Sequence, residues 1–285
     1  MNKQCTVCKS VENKVVFKEF EIDILRCLTC GHVFSSYNVD QHHDGYFDDT
    51  AVESEDQFWW NEAHQRMYDD FCRRFVVSKS GALLDLGCGL GYFVQKIAAF
   101  SSWQAFGYEI SPRAVDFART RLGLKNVFCG RLEDSKFDPH SFDIITLWDV
   151  IEHIPDPDPL LSSLSSLVKE DGMLFIHTPN VHIQLPKARI KKMLKGMNPY
   201  VHYLEAKDHV NLYSPKTLTL VLARNGFHEV EFIHLRPIQS VSGSRNQLLR
   251  SAKNAWFYLS VASAWMTFGR VNIDNLFAVA RRRHP

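Results

Sequence analysis

From residue 81 onward, short apolar runs alternate with segments whose apolar positions recur every three or four residues, which is how strands and helices follow one another in a layered fold. Ala82–Leu86, Trp103–Tyr108, Ile144–Trp148 and Met173–Thr178 are the expected strands, and Tyr92–Phe100 and Thr217–Asn225 the expected helices. Ser214 reads as the N-cap of that second helix, with Pro215 at its first position and Gly226 ending it. Trp60–Phe75 predicts a helix leading into the region, and Leu276–Ala280 a last strand. Val15–Phe20 and Ile22–Leu25, near the start, read as two short strands lying between pairs of cysteines.

Composition narrows this little. The chain has 285 residues, 45% hydrophobic and 23% charged, enough to bury a sizeable core. Lys+Arg 33 against Asp+Glu 32 gives a net charge of +1, so no specific nucleic-acid partner is expected. MNKQCTVCKS has no apolar signal core, and the uncharged stretch Asn254–Gly269, at sixteen residues, falls short of the roughly 20 needed to span a bilayer. The expectation is a cytoplasmic protein. The expected organisation is a zinc ribbon over 1–36, a connector and leading helix over 37–75, and a main domain over 76–285 with insertions at about 181–212 and 237–270. From Tyr37 to Asp70 that connector carries ten acids and one basic residue, Arg66.

Four of the seven cysteines form Cys5-x2-Cys8 and Cys27-x2-Cys30, eighteen residues apart. Two such pairs match four-thiolate zinc spacing, and a site with all four positions filled by protein is structural. Gly31 supplies turn freedom after Cys30. His32, His42 and His43 are further candidate ligands that four cysteines make unnecessary.

The chemistry-bearing motif is Asp85-Leu86-Gly87-Cys88-Gly89-Leu90-Gly91, set between a strand and a helix. Glycines there let backbone amides approach a nucleoside-bearing ligand. Tyr92 stands where a dinucleotide fingerprint needs its third glycine, and Asp85 would repel a phosphate, so an uncharged or cationic tail fits better. Glu109, twenty-four residues after Asp85, ends the next strand, where its two oxygens suit a ribose diol.

Together with Gly107-Tyr108-Glu109-Ile110-Ser111, Phe142-Asp143-Ile144-Ile145 and Asp149-Val150-Ile151-Glu152-His153-Ile154-Pro155-Asp156-Pro157, this motif resembles class I S-adenosylmethionine-dependent methyltransferases, of the methyltransferase-23 and ubiquinone-biosynthesis O-methyltransferase kind. The resemblance covers roughly residues 60–236. It implies an α/β fold: a seven-stranded, mostly parallel Rossmann-like sheet with helices on both faces, its last strand antiparallel beside the fifth, here preceded by the small zinc-ribbon unit. It implies S-adenosylmethionine as cofactor, with Asp85, Gly87, Gly89 and Gly91 around the methionine portion, Glu109 on the ribose, Leu132 and Glu133 near the adenine, and Arg66 as a cofactor-contacting arginine. It also implies a magnesium site at Asp149, Glu152 and His153, although Trp148-Asp149 departs from the relatives' Ser/Met-Glu.

Methyl transfer to a hydroxyl needs a proton acceptor, and histidine serves at neutral pH. His153 follows the fourth strand, and His209 lies in the loop before the Ser214-capped helix. Asp149 and Glu152 accompany them as catalytic candidates, whereas His177 is expected to position the loop at Pro179-Asn180. Two segments lack acids: Gly172–Leu204, with Lys187, Arg189, Lys191, Lys192 and Lys195, and Phe232–Ile273, with Arg236, Arg245, Arg250, Lys253 and Arg270. They suit an anionic or lipid-linked small-molecule acceptor, or a peripheral membrane contact, with the aromatic run Ala255–Phe268 beside them. The expected function is O-methylation of a small molecule. C-methylation of a nucleotide-linked sugar is the alternative, and a non-catalytic binding protein with a cofactor-binding fold the alternative of another class.

Overall fold

The computed structural model describes residues 3–38, 55–197, 202–236, 247–267 and 273–282. His42, His43, five of the connector's ten acids, Arg245 and Arg270 lie outside the described residues. Among the described residues eleven strands and seven α-helices follow one another as β1 (Asn13–Glu19), β2 (Ile22–Cys27), β3 (Val33–Ser35), α1 (Glu55–Phe75), β4 (Gly81–Leu86), α2 (Tyr92–Ala98), β5 (Trp103–Glu109), α3 (Pro112–Thr120), β6 (Val127–Cys129), β7 (Phe142–Trp148), α4 (Pro157–Leu167), β8 (Val168–Thr178), α5 (Val181–Lys195), β9 (Asn211–Leu212), α6 (Pro215–Arg224), β10 (Phe227–Ile233), α7 (Gln247–Met266) and β11 (Leu276–Arg282).

Seven strands form one sheet in the order β10-β11-β8-β7-β4-β5-β6. Pairings among β4 to β8 are parallel, while β11 runs antiparallel between β8 and β10. The central strands read as unbroken apolar runs because helices cover both faces: Leu83, Leu84, Ile145, Leu147, Leu174, Phe175 and Ile176 are all fully buried. The chain runs outward from β4 through β5 to β6 and then returns to place β7 on the other side of β4, so the order reverses between β4 and β7 and the carboxyl ends of β4, β5 and β7 open a crevice there. Each expected strand is present, and α6 starts as expected. The Ser214 hydroxyl accepts from Thr217 N–H while the Thr217 hydroxyl accepts from Ser214 N–H. Strand β10, with the pattern F-H-E-V-E-F-I, is an addition to the expected strands.

The small N-terminal sheet has the order β1-β2-β3-β9. Its fourth strand comes from beyond residue 210, with Val33 facing Leu212 and Phe34 facing Asn211. Cys5, Val7, Cys27, Cys30 and Phe34 share one apolar core with Leu84, Leu147, Tyr213 and Leu218 of the larger sheet and its helices. Full burial of a side chain such as Phe34 stabilises by roughly 1.5–3 kcal/mol, which helps hold the two sheets together.

Both cysteine knuckles close alike. Lys9 N–H donates to Cys5 O at 2.9 Å and Gly31 N–H to Cys27 O at 3.0 Å, each from a left-handed residue, with φ +60° and +84°. Glycine accepts that conformation freely, whereas lysine is strained in it. Lys9 is held by ion pairs to Asp156 (3.2 Å) and Asp158 (2.9 Å). The sulfurs of Cys5 and Cys30 lie 3.6 Å apart and those of Cys8 and Cys27 3.4 Å apart, and all four fall within 4.8 Å of one another. These separations are far too long for disulfides and near the ~3.8 Å expected between thiolates around a tetrahedral zinc with ~2.3 Å bonds. The four cysteines therefore fit a structural zinc. His32 is not of that set: its ring is buried, with Nε2 at 2.9 Å from Asn211 Oδ1, and desolvation pushes its pKa down to about 4.

Three of the basic residues expected to face an anionic partner are engaged within the fold. Arg189 donates to Val16 O (2.9 Å); Lys192 donates to Lys18 O (2.8 Å) with its ammonium over the Phe17 ring. Arg236 makes a two-pronged ion pair with Asp70. Helix α7 keeps an outward face of Ala255, Tyr258, Leu259, Ala262, Trp265 and Met266, with Trp265 81% exposed. Among the described residues, no helix is long and apolar enough to cross a membrane.

Candidate active site

The crevice at the carboxyl ends of β4, β5 and β7 is a cavity of about 510 Å³. One side of it is the glycine turn with its two acids. Gly87 takes φ +68°, and a Cβ there would come 2.5 Å from Val150 Cγ2, so the backbone runs where no side chain fits. Glu109 accepts from Gly89 N–H at Oε2 (2.8 Å) and from Ser111 N–H at Oε1 (2.9 Å), which fixes both oxygens at the rim while leaving each further acceptor capacity. Asp85 accepts the Thr146 hydroxyl at 2.6 Å. Burial, against that hydrogen bond and reinforced by Glu109, pushes the Asp85 carboxyl up to about 8. A buried acid poised in this way is suited to meeting a cation.

The opposite side carries the histidines. His153 and His209 both line the cavity, their ring centroids 4.8 Å apart and the rings edge-on. His153 Nδ1 lies 3.0 Å from the carbonyl of Asp208, so it carries the proton and Nε2 is the basic nitrogen. His209 Nε2 is 3.2 Å from Glu205 Oε2. Burial, with the neighbouring His209, lowers the His153 pKa to about 4, and burial lowers that of His209 despite the nearby carboxylates. Both rings are neutral at pH 7.

Asp149 sits between the two sides at φ +53°, a strained position for a non-glycine residue. Its carboxylate is 3.1 Å from Nδ1 of the fully buried His177 and 4.0 Å from Nε2 of His64. Burial opposes its ionisation, but His177, His64 and His209 outweigh that and hold its pKa below the usual carboxylate range. The His177 ring is set by an Asn275 side-chain contact at Nε2 (3.2 Å) and by stacking on Phe277.

The implied magnesium set is not assembled. The ligand atoms brought within 4.8 Å of one another are those of Glu152, His153 and His209, while Asp149 is turned onto His177 and His64. Glu152 is buried, accepts the Thr178 hydroxyl (2.9 Å), and is pushed well above the usual glutamate range by burial and by Asp149. Two imidazoles and one carboxylate suit softer divalent metals than magnesium, which takes oxygen ligands, so magnesium does not fit these residues.

Other candidates are placed differently. Gly91 caps α2 at φ +84° and, like Leu132, Glu133 and Arg66, is not among the residues lining the cavity; Leu132 is buried in the core while Glu133 and Arg66 face outward. Helix α1 instead presents Tyr68 to the cavity, and sets His64 against Asp149 one turn earlier. Tyr68, Trp148 and Phe93 form a cluster of edge-to-face and tilted rings beneath it. Sequence reasoning missed His64, Tyr68, Glu205 and Asp208. The i, i+4 spacing of His64 and Tyr68 was the one signal available for the first two.

A methyltransferase-domain family model, of the methyltransferase-23 type, matches residues 59–231. The chain belongs to the class I S-adenosylmethionine-dependent methyltransferases. This methyltransferase is 27% identical over 194 residues to a ubiquinone biosynthesis O-methyltransferase of Neisseria meningitidis serogroup C, covering 63% of this chain and 74% of the relative. It is 26% identical over 223 residues to that of Coxiella burnetii, covering 72% and 91%. Its fold is similar to a chain of the Haloferax volcanii complex between the Trm112 methyltransferase activator and a methyltransferase, with TM-score 0.58, 16% identity and coverage of 87% and 100%. It is also similar to Haemonchus contortus phosphoethanolamine N-methyltransferase 2 in complex with S-adenosyl-L-methionine, with TM-score 0.56, 17% identity and coverage of 88% and 62%. The glycine turn, the neutral Asp85 awaiting a cation and the twin oxygens of Glu109 fit the cofactor of the family, which supplies a methyl group activated on a sulfonium.

Proposed function

We propose that this methyltransferase O-methylates a small-molecule hydroxyl, with the His153–His209 pair accepting the proton. The supporting observation is that one cavity holds Asp85 and Glu109 on one side and both neutral imidazoles on the other. In this reading Glu109 binds the ribose hydroxyls and Asp85 faces the cationic end of the cofactor. Nε2 of His153 would take the hydroxyl proton as the O–CH3 bond forms and the S–CH3 bond of the sulfonium breaks, its electron pair staying on sulfur as a neutral thioether; the imidazolium so produced is stabilised by Asp149, whose charge raises the proton affinity of both rings. Tyr68, Trp148 and Phe93 close the floor against water.

The acceptor in this reading is apolar or lipid-linked, met at the surface of a membrane by the outward face of α7, in a segment without acids. Mass spectrometry of a cell-extract reaction with isotope-labelled methyl donor tests both statements. A labelled methyl ether carrying an apolar tail is expected; label on carbon or nitrogen would overturn the O-methylation reading. Sedimentation with anionic vesicles is expected to carry wild type down and to leave Trp265→Ser largely in the supernatant.

A further inference from the structure

The segment from 203 to 213 bears Glu205, Asp208 and His209 on the cavity, yet its one regular element is the two-residue β9. Backbone groups of such a stretch must be satisfied from elsewhere, and here the N-terminal sheet does it. Glu19, 1% exposed at the end of β1, accepts from the N–H groups of Tyr203, Leu204 (2.9 Å) and Ala206 (2.7 Å). The Ser35 hydroxyl donates to Ala206 O, and Ser35 N–H donates to Val210 O at 3.0 Å. Asn211, also 1% exposed, accepts from the Thr6 hydroxyl (2.7 Å) and pairs with His32 Nε2 (2.9 Å) through Oδ1, while its Nδ2 donates to Ile154 O at 2.7 Å.

That last bond matters most, because Ile154 directly follows His153. Asn211 therefore ties the turn carrying His153, the segment carrying His209 and the cysteine sheet into one buried junction. The cofactor side is anchored otherwise, through Gly87 and Cys88 N–H to Tyr108 O and Gly89 N–H to Glu109, all within β4, β5 and their turns.

We propose that the N-terminal sheet is the scaffold of the acceptor side of the active site, with Glu19 and Asn211 as positioning residues that set His209 against His153. The four cysteines lock that sheet, so its metal would act on acceptor placement and not on the cofactor. The proposal does not depend on whether oxygen, carbon or nitrogen receives the methyl group.

The test uses full-length Glu19→Ala, Glu19→Gln and Asn211→Ala. Cofactor sites are counted by titration with S-adenosylmethionine, amide exchange over 203–213 is followed by mass spectrometry, and initial rates with labelled donor and cell extract are expressed per cofactor site. Both alanine variants are expected to bind cofactor within about threefold of wild type, to exchange 203–213 at least about tenfold faster, and to turn over at least about tenfold slower with unchanged KM for the donor. Glu19→Gln is expected to keep protection at Tyr203 and Leu204 and to lose it at Ala206, since one amide oxygen replaces two carboxylate oxygens. Unchanged exchange in Glu19→Ala, or cofactor affinity that falls in step with the rate, would overturn the proposal. Glu19→Ala decides the matter if Asn211→Ala does not fold, and the exchange measurement decides it if the extract holds no acceptor.

Discussion

The two sides of the cavity are built on opposite plans. The proposed cofactor side is local: Asp85, Gly87, Gly89 and Glu109 sit at the ends of two adjacent parallel strands, and their hydrogen bonds stay within those strands, their turns and the neighbouring β7, whose Thr146 donates to Asp85. The acceptor side is assembled from a distance: His153 follows β7, His209 precedes β9, and both are held through Asn211 to residues 6 and 32. The first kind of wall tolerates change elsewhere in the chain. The second depends on three remote segments meeting, so it is where acceptor specificity can diverge while the cofactor stays the same.

That contrast predicts separable defects. The largest is expected for His153→Ala combined with His209→Ala, which should lower kcat about 10²–10⁴-fold in the labelled-donor assay while titration finds cofactor affinity unchanged. An equal loss of cofactor binding would erase the distinction between the two sides. Glu109→Ala should do the reverse, weakening cofactor binding by about 30–100-fold, or about 2–3 kcal/mol, because the ribose contacts proposed for it would be lost together with the clamp on Gly89 and Ser111.

A smaller effect is expected from pH. Burial raises the Asp85 carboxyl to about 8, so in the free protein it is mostly protonated at pH 7. A cation favours the ionised form, so cofactor affinity should strengthen by up to about tenfold per unit as pH rises toward 8, with proton release detectable by calorimetry in buffers of different ionisation heat. The same raised value means the folded state holds this proton more tightly than the unfolded chain does. Stability from this group is therefore present at low pH and is lost as pH rises through about 8, unless the cofactor is bound. Asp85→Asn should flatten both profiles. The smallest effect is expected for Trp265→Ser on the outward face of α7, which should leave cofactor binding within about twofold because that side chain lies at the surface and away from the cavity.

The β4–α2 turn was legible because its chemistry is contiguous: glycines, an acid and a strand-to-helix change of period all fall within a dozen residues. The four cysteines were legible for a similar reason, since two short spacings bring thiolates together whatever the rest of the chain does. The role of Asp149 was not. It reads as a third ligand beside Glu152 and His153, but a left-handed turn and the buried His177, contributed by another strand, rotate it away, and His209 takes its place. The hydrogen bonds of Arg189 and Lys192 were not legible either, for nothing in a basic helix announces that the strand of residues 13–19 will accept from it.

Periodicity and spacing, which act over a few residues, were enough to place the strands, the glycine turn and the two cysteine pairs, and the mostly parallel sheet came with the family resemblance that those motifs carry. Tertiary structure alone decided that the N-terminal unit borrows β9 from the main chain, that Asn211 joins both histidine-bearing segments, and that His64 and His177 bracket Asp149. These are contacts between residues more than a hundred positions apart in several cases. They depend on which faces bury one another, and one-dimensional pattern carries no record of that.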